Sequence, residues 1–198
     1  MGLDVTGFDQ TGVDVASDTV TRHGKKMALL FMLPCLVGAT SHAPPDPERG
    51  KAEGACRKNE HGPALIVTAL GLKDRQGYLK LEVYPSNDHD FLENDDILIA
   101  AKKTFRRSEI ELPPSGLAEL CVRLPSAGIY AISLLHDRDK NRKFGLSIDG
   151  VGFAGNPKLG WSKPKAKSVS VSAGTGLTHI KITMNYRRGL FSFEPLDR

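Results

Sequence analysis

The feature of this sequence that most constrains its fold is a series of short segments in which apolar and polar residues alternate. In one of them, Leu79, Leu81 and Val83 are separated by Lys80 and Glu82. Other segments of this character are ALIVTAL, DILIAA, EIEL, LAELCVRL, IYAISLL, KSVSVSA and THIKITMNY, each bounded by Gly, Pro, Asn or Asp. Successive side chains of a strand point to opposite faces of a sheet. The pattern therefore predicts an all-β sandwich of seven or eight antiparallel strands.

The N-terminal region has the layout of a secretory signal. Lys25 and Lys26 precede an apolar run over residues 27–37, and small residues follow at 39–43. This order is typical of a signal peptide, and the run is shorter than the roughly 20 residues that span a bilayer. A buried helix or strand is the alternative, which Pro34 disfavours. The sequence predicts a periplasmic or secreted protein without a transmembrane span.

The chain of 198 residues has about the length of one domain. Residues 1–43 are predicted to be a leader and signal peptide, and residues 44–60 a Pro-rich linker. Residues 61–187 contain most of the alternating segments and are predicted to form the β-sandwich domain. Residues 188–198 form a tail whose apolar side chains either cap one end of the sandwich or extend from it.

Charge and motifs limit the function classes. The 27 Lys and Arg against 23 Asp and Glu give a formal net charge of +4, and the two signs are mixed along the chain. No arginine-and-aromatic pattern of a nucleic-acid reader is present, so we expect no nucleic-acid partner. The sequence also has no G-x-S-x-G, H-E-x-x-H, P-loop or C-x-x-C motif. We expect a protein that is not an enzyme.

Two cysteines remain after the predicted signal. The alternation in LAELCVRL places Cys121 on the polar face, opposite Leu120 and Val122. An exposed thiol is reactive in an oxidising compartment, which favours a disulfide between Cys56 and Cys121. The alternative is two unpaired cysteines.

Several segments together resemble a known family. They are YLKLEVYPSNDHDFL, PSAGIYAISLLHDRDKNRKFG, DGVGFAGNPKLG, SVSVSAG and THIKITMNY. In this order they resemble the exported bacterial domain-of-unknown-function family DUF2141 over roughly residues 64–186. The resemblance implies a transthyretin-like or immunoglobulin-like Greek-key sandwich. It implies no activity.

The segment HDRDKNRK has the spacing of a calcium loop. Asp137, Asp139 and Asn141 stand at alternate positions, and the backbone carbonyl of Lys143 falls at the seventh. Calcium takes about 6–8 oxygen ligands, and alternate spacing on a tight loop converges them on one point. One interpretation is a weak structural calcium site with these four ligands.

The same loop also fits a polar turn without metal. Arg142 stands where a calcium loop favours glycine, and Ile148 stands where it has a bidentate glutamate, with Asp149 one residue later. In this second interpretation the Asp and Asn side chains accept hydrogen bonds from the loop's own amides. A nearby acidic cluster at residues 88–96 is either a solvated loop or, if the fold brings it near Asp137, a further source of ligands.

The Gly-rich stretch 144–165 is the longest segment without strand periodicity. Long irregular loops in compact domains often carry function. Phe153, Asn156 and Trp161 are therefore candidates to line a groove for a sugar or lipid. Alternatively, Phe153 and Trp161 close the open end of the sandwich. His136 lies on the same strand face as Ile132, which predicts a hydrogen-bonded histidine at the inner edge of the sheet.

The sequence favours an exported, non-enzymatic binding or accessory module of the bacterial envelope, whose partner is an envelope component or another protein. The alternative is a small-ligand or carbohydrate-binding protein that uses the loop around Trp161. A third hypothesis is a hydrolase with a site at His136 and Asp137. Calcium is the one cofactor considered, as a structural ion.

Overall fold

A computed structural model describes residues 46–160, 162–190 and 192–196. The predicted leader and signal peptide at 1–43 and the groove candidate Trp161 lie outside the described residues. No helix in the described part of the chain has the length and apolar character needed to cross a membrane.

The described residues form ten strands and three short helices. The strands are β1 (Ala64–Leu70), β2 (Tyr78–Pro85), β3 (Arg106–Glu111), β4 (Ala118–Arg123), β5 (Gly128–Asp137), β6 (Gly150–Phe153), β7 (Ser170–Ala173), β8 (Leu177–Thr183), β9 (Asn185–Arg188) and β10 (Ser192–Glu194). The helices are α1 (Lys51–Gly54), α2 (Asp95–Ala100) and a 3-10 helix, η1 (Ala166–Val169). The all-β prediction is confirmed, although the predicted number of strands is too low because β6 and β10 are too short to show alternation.

The segment DILIAA, predicted as a strand, is the helix α2. The Asn94 side chain accepts a hydrogen bond from the Asp96 amide at 3.0 Å and so caps the helix. Asp95 and Asp96 add negative charge to the first turn, where it interacts favourably with the helix dipole. Leu98 is fully buried while Ile97 and Ile99 are exposed, so this helix packs on the domain mainly through Leu98.

The strands form two sheets. The small sheet has the order β4-β1-β8, and the large sheet has the order β10-β9-β6-β5-β2-β3, with β7 also paired to β5. Every pair is antiparallel except β1 and β8, which run parallel. The prediction of a purely antiparallel sandwich is wrong at this pair, because β8 reaches β1 through long intervening chain and no hairpin sets its direction.

The inner core lies between the two sheets. The small sheet contributes side chains from alternate positions: Leu65, Val67, Leu120, Val122 and Ile182. The large sheet contributes Leu79, Leu81, Val83, Ile132 and Leu134, and Met184 joins the core from the junction between β8 and β9. Full burial of each such side chain stabilises the fold by roughly 1.5–3 kcal/mol. These are the positions that the alternation predicts.

A second apolar cluster covers part of the opposite face of the large sheet, which we call the outer face. Its buried members are Tyr84, Phe91, Leu98, Phe105, Ala131, Phe153, Ala166 and Val169. The chain between β2 and β3 and the chain after β6 supply the covering residues. As a result β5 is buried on both faces from Tyr130 to Asp137, although its segment was predicted to have a polar face.

Segments outside the predicted sandwich domain also pack on it. The predicted disulfide between Cys56 and Cys121 is present. In the predicted linker, the Gly50 carbonyl accepts a hydrogen bond from the Arg107 amide at 3.0 Å. In the predicted tail, β10 pairs with β9, and the Phe193 ring lies 5.8 Å from that of Phe144.

Candidate functional site

The strand register places apolar and charged residues side by side on the outer face. Val151 of β6 pairs with Leu135 of β5, Leu135 with Lys80 of β2, and Lys80 with Glu109 of β3. Residues that pair directly share a face of the sheet. This row therefore changes from apolar on β6 and β5 to charged on β2 and β3.

The neighbouring row repeats the change. Phe153 pairs with Ser133, Ser133 with Glu82, and Glu82 with Arg107. The Phe153 ring packs edge-on against Phe91 at 5.9 Å between ring centroids. One end of the row thus belongs to the second apolar cluster, and the other end is ionic.

An open groove lies over the apolar half of these rows, with a volume of about 350 Å³. We call it the apolar groove. Its floor is formed by Leu135, Val151 and Phe153. Its walls and ends are formed by Leu92, Phe144, Leu146, Leu159, Pro164 and Phe193. Phe144 and Leu146 are about half exposed, so the groove presents apolar surface to solvent.

The three predicted groove residues have different positions. Phe153 lines the apolar groove and also packs into the second apolar cluster of the outer face, and its role in ligand binding stays a prediction. Asn156 does not line this groove; its side-chain oxygen accepts from the Thr183 amide at 2.7 Å, and its amide donates to the Lys181 carbonyl at 3.3 Å. Trp161 lies outside the described residues, but its sequence neighbours Gly160 and Ser162 both line the groove.

The charged half of the outer face contains a buried ionic network. The Arg107 guanidinium contacts Glu82 at 2.8 Å and Asp95 at 3.2 Å, and it donates to the Asp46 carbonyl at 3.0 Å. Burial alone would raise the pKa of the Glu82 carboxyl, but the charges of Lys80 and Arg107 outweigh burial and lower it. The network therefore links β2, β3, the start of α2 and the segment before α1.

A second cleft, of about 290 Å³, adjoins the apolar groove at Lys80. We call it the cationic cleft. It is lined by Pro47, Lys80, Arg107, Glu109, Asn141, Arg142 and Lys143. The loop after β5 therefore contributes to both sites, with Arg142 and Lys143 at the cationic cleft and Phe144 and Leu146 at the apolar groove.

The predicted calcium loop brings together a different set of oxygen atoms. Carboxylate oxygens of Asp137, Asp139 and Asp149 lie within 4.8 Å of one another. The Asn141 side-chain oxygen, a predicted ligand, accepts a hydrogen bond from the Lys143 amide at 2.7 Å. Asp149, which follows the expected twelfth position by one residue, takes a place in the group.

The acidic group also makes the hydrogen bonds of a polar turn. Asp137 accepts from the amides of Asn141 at 3.2 Å and Arg142 at 2.7 Å. Asp149 accepts from the amides of Arg138 at 2.8 Å and Gly145 at 2.7 Å. Burial, together with a hydrogen bond from Asp139 and the charge of Asp149, raises the pKa of Asp137. The geometry of the Asx-turn interpretation is thus present, and the metal interpretation stays a prediction.

The comparisons with known proteins bear on the part of the chain that builds the groove. A family model described as an uncharacterised protein conserved in bacteria, DUF2141, matches residues 67–181. The chain belongs to the DUF2141 family. No curated protein and no solved structure matches it.

The DUF2141 match contains most of both clefts but not all of them. Strands β2 to β7, the acidic group and the loop carrying Phe144 lie inside residues 67–181. Cys56 of the disulfide and Phe193 of the groove lie outside it. The groove floor is therefore part of the family domain, whereas its β10 edge lies beyond the matched region.

His136 of the DUF2141 domain lies at the inner edge of β5, as predicted. Its side chain is fully buried. Nε2 lies 2.8 Å from the Gln76 carbonyl oxygen, to which it donates, and Nδ1 lies 2.6 Å from the Tyr186 hydroxyl. That hydroxyl accepts from the Lys73 amide at 3.0 Å, so its proton is directed to Nδ1. Burial lowers the pKa of His136. All these contacts suit a neutral structural imidazole.

The acidic cluster at residues 88–96 makes its own contacts. Asp90 pairs with Lys103 at 2.5 Å, and Asp95 pairs with Arg107. Asp88 accepts from the Ala166 amide at 2.7 Å. None of these residues joins the group of carboxylates around Asp137 among the described residues.

Sequence reasoning missed the residues that form most of the groove. The adjacent apolar pair Leu134 and Leu135 interrupts the alternation, which is a signal that β5 is buried on both faces. Phe144 and Leu146 are apolar residues in a loop rich in charge, another readable signal. Arg107 gave no signal, because a buried arginine and an exposed one look the same in a strand pattern.

Proposed function

We propose that this protein is an exported, non-enzymatic binding module that holds a small apolar ligand in the apolar groove. The observation that carries the proposal is the groove itself. Its volume of about 350 Å³ falls in the range of roughly 300–1,000 Å³ typical of small-molecule sites. The ligand would contact the outer face of the large sheet and three aromatic side chains, Phe144, Phe153 and Phe193.

The lining favours an apolar ligand over a carbohydrate. Sugar sites need several free hydrogen-bonding side chains, because each hydroxyl that is buried without a partner costs free energy. In this groove, Lys163 already donates to the carbonyls of Asp88 at 3.0 Å and Phe91 at 2.9 Å. Glu82 is engaged by Arg107 and by the Tyr84 hydroxyl at 2.8 Å. Leu135, Val151 and Phe153 on the floor offer no polar side-chain atoms, and the other polar side chains of the lining are Lys80 and the short hydroxyl side chains of Ser133 and Ser162.

Export is the second part of the proposal. It is supported by the signal-like order of residues 25–43 and by the disulfide between Cys56 and Cys121. Disulfides persist in oxidising compartments such as the periplasm and the extracellular space. A protein that carries an apolar molecule there acts where such molecules pass between membrane and solvent. We therefore propose a periplasmic or secreted binding module.

A neutral apolar fluorophore tests the groove directly. We expect N-phenyl-1-naphthylamine to gain fluorescence when mixed with the protein, because it enters an apolar environment. Leu146→Ser, in the groove wall, should weaken the binding several-fold. Leu177→Ser is the matched control, since Leu177 is similarly exposed but lies in β8 of the small sheet.

Two results of this experiment would contradict the proposal. Fluorescence that is absent, or that responds equally to Leu146→Ser and Leu177→Ser, would show that the groove does not bind. Quenching of Trp161 by the same ligand gives an independent reading, since this tryptophan lies between Gly160 and Ser162 in the sequence. Thermal melts of both variants would show that they are folded.

The calcium ion predicted from the loop would serve the same function by fixing the wall that carries Phe144. A ligand at about 100 times its Kd stabilises a protein by roughly 2.7 kcal/mol. For a domain of this size that is a rise in Tm of roughly 5–11 °C between EDTA and millimolar calcium. Asp137→Asn should abolish the rise. Equal melting in EDTA and calcium would leave Asp137, Asp139 and Asp149 as a polar turn.

A further inference from the structure

On the basis of the function proposed above, we propose that the ligand is an amphiphile with one anionic head, whose apolar body fills the apolar groove and whose head lies in the cationic cleft. The two clefts meet at Lys80, which lines both of them. A molecule that occupied only the groove would leave this charged junction unused. The ligand class follows from the arrangement of charge along the two clefts.

The floor of the two clefts changes from apolar to charged along a single row of paired residues. Val151 and Leu135 lie at one end, and Lys80 and Glu109 at the other. Neighbouring strands lie about 4.8 Å apart, so this row across four strands is about 14 Å long. A flexible chain of moderate length, with a polar group at one end only, matches that pattern.

The loop above the floor repeats the same order. Phe144 and Leu146 lie over the apolar half, and Arg142 and Lys143 lie at the charged half. Roof and floor therefore place the boundary between apolar and charged surface at the same point. This agreement between two separate segments of the chain fixes the direction in which an amphiphile would lie.

The sign of the head follows from the ion pairs. Lys80 contacts Glu82 at 3.3 Å, and Arg142 contacts Glu109 at 3.4 Å. Among the residues that the structure describes, no carboxylate lies within ion-pair distance of Lys143. The cleft therefore presents more positive than negative charge to a ligand. A carboxylate or phosphate head would balance this positive charge and accept hydrogen bonds from it, whereas a cationic head would be repelled.

The other lysine that lines the groove, Lys163, is held differently. Its ammonium group already donates to the backbone carbonyls of Asp88 and Phe91, so it is less available to an anionic head than Lys143. Fatty-acid-like and lipid-phosphate-like molecules share the chemistry that the two clefts select. Both are anionic at one end only.

The test is calorimetric titration of the full exported chain with four ligands that share a ten-carbon tail: decanoate, decyl phosphate, decanol and decyltrimethylammonium. We expect decanoate or decyl phosphate to bind at least about tenfold more tightly than decanol, which corresponds to about 1.4 kcal/mol. The tighter of the two anions identifies the head. The cation should bind more weakly than decanol.

A set of lysine variants locates the head. Lys143→Met should reduce the affinity for the anionic ligand by about tenfold and leave that for decanol unchanged, whereas Lys143→Arg should keep both. Lys181→Met is the control, because Lys181 is exposed on the small sheet. Lys143 is exposed, so its replacement should not disturb folding, and a thermal melt checks this.

The outcomes separate this inference from the proposed function. Equal binding of decanoate and decanol would overturn the anionic head and leave the apolar groove in place. Failure of all four ligands would overturn both. Binding of acetate as tight as that of decanoate would also overturn the inference, since it would show a head site without a groove.

Discussion

The two faces of the large sheet are closed in different ways. The inner face packs against the small sheet through apolar side chains, with Leu81, Ile132 and Leu134 fully buried. The outer face is closed by a second apolar cluster at one end and by the Arg107 network at one side, and it is covered only in part over the apolar groove. The same strands thus provide a core on one side and a candidate binding surface on the other.

In a β-sandwich, a sheet face covered by loops has more room for a binding site than a face packed on another sheet. A sheet face that packs on another sheet must be filled completely, since each void costs stability. A face covered by loops need not be, because loops such as the one carrying Phe144 can stand away from the strands. The groove lies where the covering segments of the outer face leave a gap above Leu135 and Val151.

The largest effect that we predict is on the ionic part of the outer face. Arg107→Met should destabilise the protein by about 3–5 kcal/mol, because it leaves the buried carboxylates of Glu82 and Asp95 without their shared cation. Urea unfolding at pH 7 measures this change. Such a loss would show that the outer face is as important to stability as the inner one.

The control for Arg107 is a second arginine with an exposed contact. Arg75 donates to the Gly116 carbonyl at 2.9 Å on the surface, and Arg75→Met should change the free energy of unfolding by less than about 1 kcal/mol. Adding Glu82→Gln and Asp95→Asn to Arg107→Met should restore part of the lost stability. If Arg107→Met were as mild as Arg75→Met, the network would contribute little.

The inner face could be predicted from the sequence, and the outer face mostly could not. Alternation in β2 identified Leu79, Leu81 and Val83, because a sheet that packs on another sheet imposes a period of two. Burial of Leu135 together with Leu134 depends on what covers the second face. That covering comes from distant loops, whose paths follow no local periodicity.

The helix α2 and the acidic group show the same limit. In the structure Asn94 caps this helix, but in the sequence the apolar run after it fitted a strand as well as a helix. For the acidic group, spacing identified Asp137 and Asp139. Asp149 joined them because β6 follows directly and returns antiparallel to β5. The disulfide could be predicted because the alternation in β4 places the Cys121 side chain on the polar face of the strand, where a free thiol would be exposed.

A pair of apolar truncations gives the next largest effect and compares the two faces directly. Ile132→Ala, on the inner face, should cost about 2–5 kcal/mol, because it leaves a cavity in a fully packed core. Leu146→Ala, in the groove wall, should cost less than about 1 kcal/mol, because its side chain is already about half exposed.

Urea denaturation of both variants measures the difference in stability. For ligand binding we expect the opposite order, with the larger effect in Leu146→Ala. Ile132→Ala should keep groove binding at temperatures where it is folded, whereas Leu146→Ala should weaken it. Similar stability losses in the two variants would mean that the groove wall is part of the core.

The smallest effect concerns His136 and Asp137, two adjacent residues of β5 that lie on opposite faces and are both buried. Burial favours the neutral form of each, so the pKa of His136 is lowered and that of Asp137 is raised. Below the ordinary histidine pKa of about 6.5, the unfolded chain binds a proton that folded His136 resists, and stability falls as pH falls. The raised pKa of Asp137 acts in the opposite sense, giving stability at acid pH that is lost as pH rises through its folded value.

Urea unfolding between pH 4.5 and pH 7.5 separates the two residues. Relative to the wild type, His136→Gln should lose the fall in stability on the acid side of pH 6.5, a slope of at most about 1.4 kcal/mol per pH unit. Asp137→Asn should make stability fall more steeply towards acid pH than in the wild type, because it removes the carboxyl that takes up a proton on folding. Parallel curves for all three proteins would mean that neither buried group changes its proton affinity on folding, and that the two faces of β5 are electrostatically alike.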